Sequence, residues 1–300
     1  MISIVNKLKN DRTRSITFMI IAAVMWSTGG LLIKSIKLNA IAIAGVRSLI
    51  AALLMLAVIK KPNMKFGRYK VGCAAAYAGT VILFVIANKL TAAATVILLQ
   101  YTAPIYVALL SAWFLNERIT KLDWAAIFIV LGGMVLFFID KMSSGNLLGS
   151  IYAILSGICF AFLALLLRKQ KDESPLESVF WGNVLTAIIG VPFMFGSAID
   201  TSSMIGLLLL GTVQLGIPYI LYISAIKHVS ALEAVLLPVI EPLLNPVWVF
   251  LVLGEFPGPW AFVGGLIVLS AIVGRSVIIT LKANKRREDS ETAYKEESRQ

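Results

Sequence analysis

Residues 88–117, NKLTAAATVILLQYTAPIYVALLSAWFLNE, and residues 226–255, IKHVSALEAVLLPVIEPLLNPVWVFLVLGE, read as two copies of one pattern. Sliding the first onto the second by 138 places sets Pro104 on Pro242 and Glu117 on Glu255. Each copy is an apolar run of helical length, with a proline inside it and an acid at its end. A helix of about 20 apolar residues crosses a hydrocarbon core of about 30 Å. A proline at that depth is tolerated where the freed carbonyl lines a cavity or meets protein.

Working outward from these two segments, the chain holds ten such runs. They are Ile16–Ile33, Ala40–Ile59, Val71–Ala87, Ala92–Leu115, Leu122–Ile139, Leu147–Leu167, Leu176–Gly196, Met204–Ile226, Ala231–Leu253 and Trp260–Leu281. The first is too long for the core of a cleaved leader and no small-x-small site follows it, so it reads as a retained span. Lys34 and Arg168 also correspond between the halves, at a slightly different offset. The fold expected is an all-α integral membrane protein of ten transmembrane helices in two five-helix repeats, residues 16–139 and 147–281. Five is odd, so the second repeat sits inverted relative to the first. In inverted-repeat transporters the substrate site lies near mid-membrane, between the halves.

Composition agrees. The 300 residues are 59% hydrophobic and only 14% charged, against about a quarter charged in a soluble domain. The net charge of +11 sits in loops and tails, so it reads as topology and not as a nucleic-acid surface. Counting Lys and Arg in alternate loops and in the tails as far as Arg287 gives 19 on one side and 4 on the other. Both termini, residues 1–15 and 282–300, are therefore expected in the cytoplasm, with the spans in the cytoplasmic membrane. The first fourteen residues form either an interfacial amphipathic turn or a frayed end. The polar tail from Lys282 reads as disordered, with Lys285, Arg286 and Arg287 either plain topology charges or a contact with anionic lipid.

Trp26–Gly30 (WSTGG), TAAATVILLQYTAPIYVALLSAWFLNERIT and ALEAVLLPVIEPLLNPVWVFLVLGE together resemble the drug/metabolite transporter superfamily, in its EamA branch. The resemblance covers nearly all of residues 16–281. It implies the ten-helix inverted bundle and the movement of small solutes such as amino acids, nucleobases or drugs, with export favoured. Small multidrug exporters of the superfamily use a glutamate in the first helix; this chain has no acid in its first span, so that residue is not carried over.

Charges at membrane depth are costly and face protein or water. Glu241 lies mid-way along the ninth run, and its counterpart in the first repeat is Ala103. A carboxylate there can hold a cation, an ammonium group or a proton; the competing reading is a structural acid paired to Arg47. Pro238, Pro242 and Pro246 recur on one stripe around it, and Asn245 adds a polar group one turn on. Arg47, mid-way along the second run, either binds a substrate carboxylate in bidentate fashion or ties helices together through carbonyls. If Arg47 and Glu241 are not paired, they suit a zwitterion such as an amino acid. Arg275, in the last run, is close enough to its end to snorkel. Trp26, Gln100, Tyr101, Trp181, Asn183, Gln214, Tyr219 and Tyr222 stand nearer mid-span than interface anchors do, and read either as site lining or as inter-helix bonding. Glu117 and Glu255 read as local caps or as gating ion pairs. Gly29, Gly30, Gly132, Gly133, Gly264 and Gly265 read as close-approach positions.

The function expected is a secondary transporter, by preference an exporter, of a small metabolite such as an amino acid or related amine, by alternating access; a proton, another solute or nothing is coupled, with Glu241 the candidate proton carrier. No phosphate-binding GxxxxGK[ST] loop is present to drive a pump. Cys73 and Cys159 stand alone in apolar runs and the single histidine, His228, is in a loop, so no metal or cofactor is expected. An intramembrane enzyme would need a nucleophile and base at one depth. A non-transporting scaffold or sensor would show no polar groups converging on a cavity.

Overall fold

A computed structural model describes residues 2–139, 146–195, 199–253 and 258–297, with side chains described over these except 2–10, 94, 245, 246, 249, 250, 252, 253, 280 and 282–297. Among them there is no strand, and nine helices are long and apolar enough to cross a membrane. The segment 231–253 stands where the ninth span is expected, broken into Ala231–Leu236, the 3₁₀ turn Leu237–Val239 and Ile240–Leu253. The outer surface is apolar: Trp113 is 82% exposed and Leu266 69%, which suits lipid and not water.

The helix ends follow from local chemistry. Asn39 and Asn146 cap the second and sixth spans by accepting from Ile41 and Leu148 amides. Thr120 with Asp123, and Ser230 with Glu233, form capping boxes at the starts of the fifth and ninth, each satisfying two amide donors that the first turn leaves free. Asn116 takes φ 57° after the fourth span, a left-handed turn that asparagine tolerates.

Four of the predicted spans are interrupted. The first runs Ile2–Trp26, turns at Ser27–Thr28 and resumes at Gly29–Ser35; Ser27 and Thr28 hydroxyls donate to the Val24 and Met25 carbonyls, competing with the helical ladder. The fourth breaks at Tyr101–Thr102 between Ala93–Gln100 and Ala103–Phe114, just before Pro104. The eighth widens to a π-helix over Leu210–Gly216 before Pro218, whose missing N–H deprives the Gln214 carbonyl of its helical donor. The ninth breaks at Pro238.

Both ends of the chain are more helical than predicted. The first helix already begins at Ile2. The last, Pro259–Glu297, carries on through residues predicted as disordered; residues 282–297 contain no Gly or Pro and are rich in Ala, Lys, Arg and Glu, all good helix formers.

The second span packs on the seventh, the third on the sixth and seventh, the first on the eighth, the fourth on the ninth, and the fifth on the tenth. Close approach at two of these contacts depends on missing Cβ atoms. One at Gly45 would collide with the Gly190 backbone, and one at Gly264 with the Gly133 carbonyl and Phe137 backbone.

At the end rich in Lys and Arg, four ion pairs join the first half of the chain to the second. They are Arg12–Glu233 at 2.6 Å, Arg275–Asp123 at 2.7 Å, Arg168–Glu117 at 2.8 Å and Lys70–Glu177 at 2.9 Å. Arg168 also donates to the Ile226 and Lys227 carbonyls, and Glu117 accepts from the Ala231 amide. The described residues of the opposite end carry no ion pair.

Candidate functional site

The four interruptions meet around one cavity. It is lined by Trp26, Arg47, Thr80, Val81, Phe84, Gln100, Tyr101, Phe160, Gln214, Leu215, Tyr219 and Glu241 and has a volume of about 50 Å³, room for water or a very small solute. Trp26 comes from the break in the first span, Gln100 and Tyr101 from that in the fourth, and Gln214 from the π-turn. Glu241 follows the 3₁₀ turn of the ninth. Discontinuous helices at mid-membrane are the usual frame of transporter sites.

Arg47 is 1% exposed. Its guanidinium donates to Gln214 Oε1 at 3.1 Å and reaches the Val81 carbonyl at 3.4 Å, while Nε has no partner. No carboxylate among the described residues pairs with it. Guanidinium carries five donors, so this buried cation is under-satisfied, and an uncompensated buried charge costs several kcal/mol, roughly 3–5. Glu241, also buried, accepts from Tyr101 Oη at 2.8 Å; the same phenol lies 2.7 Å from the Pro238 carbonyl. Arg47 and Glu241 thus share a cavity without sharing a bond.

Aromatic rings wall the cavity. Trp26 meets Tyr219 edge-on at 5.1 Å and Tyr222 at 5.4 Å, and Tyr219 meets Tyr77 at 4.9 Å. Faces of Trp and Tyr attract ammonium groups. Gln100 donates to Ser156 Oγ, which donates to the Thr80 carbonyl, tying the fourth and sixth spans to the third. Trp248 Nε1 donates to Ser27 Oγ at 2.7 Å, tying the ninth span to the break in the first.

Of the residues singled out from the sequence, Trp26, Arg47, Gln100, Tyr101, Gln214, Tyr219 and Glu241 line the cavity. Three others do not. Trp181 faces Phe66 and Phe180. Asn183 is committed to Tyr77 Oη and the Val179 carbonyl. Tyr222 packs against Trp26 and Tyr219, its hydroxyl unpaired. The Asn245 side chain and Glu255 lie outside the described residues. Thr80, Val81, Phe84, Phe160 and Leu215 also line the cavity; as ordinary span residues they carry no sequence signal that sets them apart.

A model of the EamA-like transporter family matches residues 13–139 and again residues 147–277. The chain belongs to the EamA-like transporter family. This EamA-like protein is a multi-pass membrane protein of a transporter family. It is 25% identical over 257 residues to a transporter of Archaeoglobus fulgidus, covering 85% of this chain and 93% of that one. It is 26% identical over 184 residues to the pseudopaline exporter CntI of Pseudomonas aeruginosa, covering 60% of this chain and 64% of that one. To an S-adenosylmethionine uptake transporter of Rickettsia bellii it is 23% identical over 180 residues, covering 59% and 61%. A crystal structure superposes with a TM-score of 0.75 at 16% identity over 89% of this chain and 98% of that one, which bears on the fold alone.

Proposed function

We propose that this EamA-like protein is a secondary transporter that exports an amino acid or a closely related amine by alternating access, with Glu241 carrying a coupled proton. The observation that carries the reading is the cavity at the broken helices, with an under-bonded guanidinium and a carboxylate that do not pair with each other. A zwitterion answers both once the cavity of about 50 Å³ widens to admit it: its carboxylate completes the donors of Arg47 and its ammonium group faces Glu241 and the rings of Trp26 and Tyr219. Similar proteins are named both for export and for uptake; export follows the resemblance to the drug/metabolite transporters. The polar lining argues against a scaffold without a site.

The halves, residues 16–139 and 147–281, form inverted five-helix repeats in this reading. The packing supports it: exchanging each span with the one five places on turns the third-on-sixth contact into the eighth-on-first and maps second-on-seventh, fourth-on-ninth and fifth-on-tenth onto themselves. The excess of Lys and Arg assigns the ion-paired end and both termini to the cytoplasm.

The test is flux in proteoliposomes with a mixed pool of amino acids, amines and nucleobases, with and without a pH gradient, for wild type and Glu241→Gln. Gradient-driven accumulation of amino acids or amines that disappears in the folded variant is the expected result. Accumulation of nucleobases alone, or unchanged gradient-driven flux in Glu241→Gln, overturns it.

A further inference from the structure

The phenol of Tyr101 sits between two acceptors. Its oxygen is 2.7 Å from the Pro238 carbonyl and 2.8 Å from Glu241 Oε2, and the residue is buried. A phenol has one proton to donate and so cannot serve both. The Pro238 carbonyl can only accept. Its α-helical donor would be the amide of residue 242, which is a proline and has none; the nearby Ile240 amide is divided between the Leu237 and Pro238 carbonyls. Glu241 only accepts when ionised but donates when protonated.

Two bonding states follow. With Glu241 ionised, the phenol turns to the carboxylate, and the Pro238 carbonyl faces the phenol oxygen with no proton between them. With Glu241 protonated, the carboxyl donates to the phenol oxygen and the phenol donates to the carbonyl, so both contacts hold a proton. Two short contacts on one phenol fit the second state. Tyr101 belongs to the first half of the chain and Pro238 and Glu241 to the second, so this relay crosses between them.

We infer that Tyr101 is a positioning residue that couples the protonation of Glu241 to the proline break of the ninth span. Protonation clamps the break to the fourth span; loss of the proton releases the carbonyl and loosens the turn at Leu237–Val239. The other titratable groups in the cavity wall are Arg47 on the second span and Tyr219 on the eighth; Tyr77 on the third and Tyr222 on the eighth pack against Tyr219 outside the lining. Arg47 bonds to Gln214, and Tyr77 donates to Asn183. The inference rests on the reading of Glu241 as the proton carrier.

The full chain in lipid is followed by two signals against pH. One is the infrared carboxylic C=O band that Glu241→Gln removes. The other is deuterium uptake of the segment 237–244, corrected for the intrinsic pH dependence of exchange. In wild type, protection of the segment is lost together with the band. Tyr101→Phe removes the phenol's donor. Pro242→Ala gives the Pro238 carbonyl its own amide. These opposite changes have one expected result: the band still titrates, but protection no longer follows it. If either folded variant keeps the wild-type linkage, or wild type shows none, the inference is overturned. Should the band never titrate and gradient-driven flux survive in Glu241→Gln, the proton-carrier reading fails and this inference with it. A titrating band and inactive Glu241→Gln beside a wild-type-like Tyr101→Phe sink the relay alone.

Discussion

At Arg47 the guanidinium is held by one side-chain amide and a distant carbonyl, in a helix where a buried cation is costly and marks a candidate functional site. Arg47→Lys keeps the charge and loses the planar fork, so a bidentate carboxylate contact is lost. With amino-acid flux as readout, apparent affinity is expected to fall roughly 10- to 100-fold, the equivalent of about 1.5–3 kcal/mol for a charged hydrogen bond. Flux of simple amines, which have no carboxylate, should change little. Equal loss for both probes would return Arg47 to a structural role. Arg47 and Glu241 were legible in the sequence because a charge in an apolar run is conspicuous. Phe160 and Thr80, which share their cavity, were not, since an ordinary residue becomes a wall only through what packs opposite it.

The spans themselves follow from apolar length, but the breaks within them do so unevenly. Pro238 and Pro242 announce the interruption of the ninth. The turn at Ser27–Thr28 and the π-turn at Leu210–Gly216 depend on hydroxyls bonding back to carbonyls and on a missing N–H four residues on, and neither interrupts the apolar run. Two predictions belong to these elements. Gly190→Leu drives a side chain into the Gly45 backbone and should destabilise the folded protein by at least about 1–3 kcal/mol, read as a lower apparent Tm in detergent. Thr120→Ala removes the cap of the fifth span and should cost about 1 kcal/mol. It should leave transport chemistry intact, which initial flux rates of the folded fraction check.

Across the molecule, the four ion pairs between halves lie at one end. If the proposed alternating access opens the cavity toward that end, the opening breaks these pairs together. Neutralising Glu117 and Asp123 removes the acceptors of Arg168 and Arg275. In a background with Cys73 and Cys159 replaced by serine, Thr80→Cys in the cavity wall reports access. Maleimide should reach it from the Lys/Arg-rich face only when Glu117→Gln and Asp123→Asn are present. Labelling from that face at the wild-type rate would show that the pairs do not hold it shut.

The sequence by itself determined that this is a helical membrane protein with a duplicated, proline-bearing segment, because apolar length and charge placement are properties of the chain read in order. It also singled out Glu241 and Arg47, because charge at that depth is exceptional. Only the tertiary structure decided that the two are not each other's partners, that Trp181, Asn183 and Tyr222 stand off the cavity, and that Tyr101 spans Pro238 and Glu241. Those outcomes depend on helix rotation and on the angles introduced at the breaks. Both are set by contacts such as Gly45 on Gly190 between residues far apart in the chain, and no local pattern encodes which face meets which.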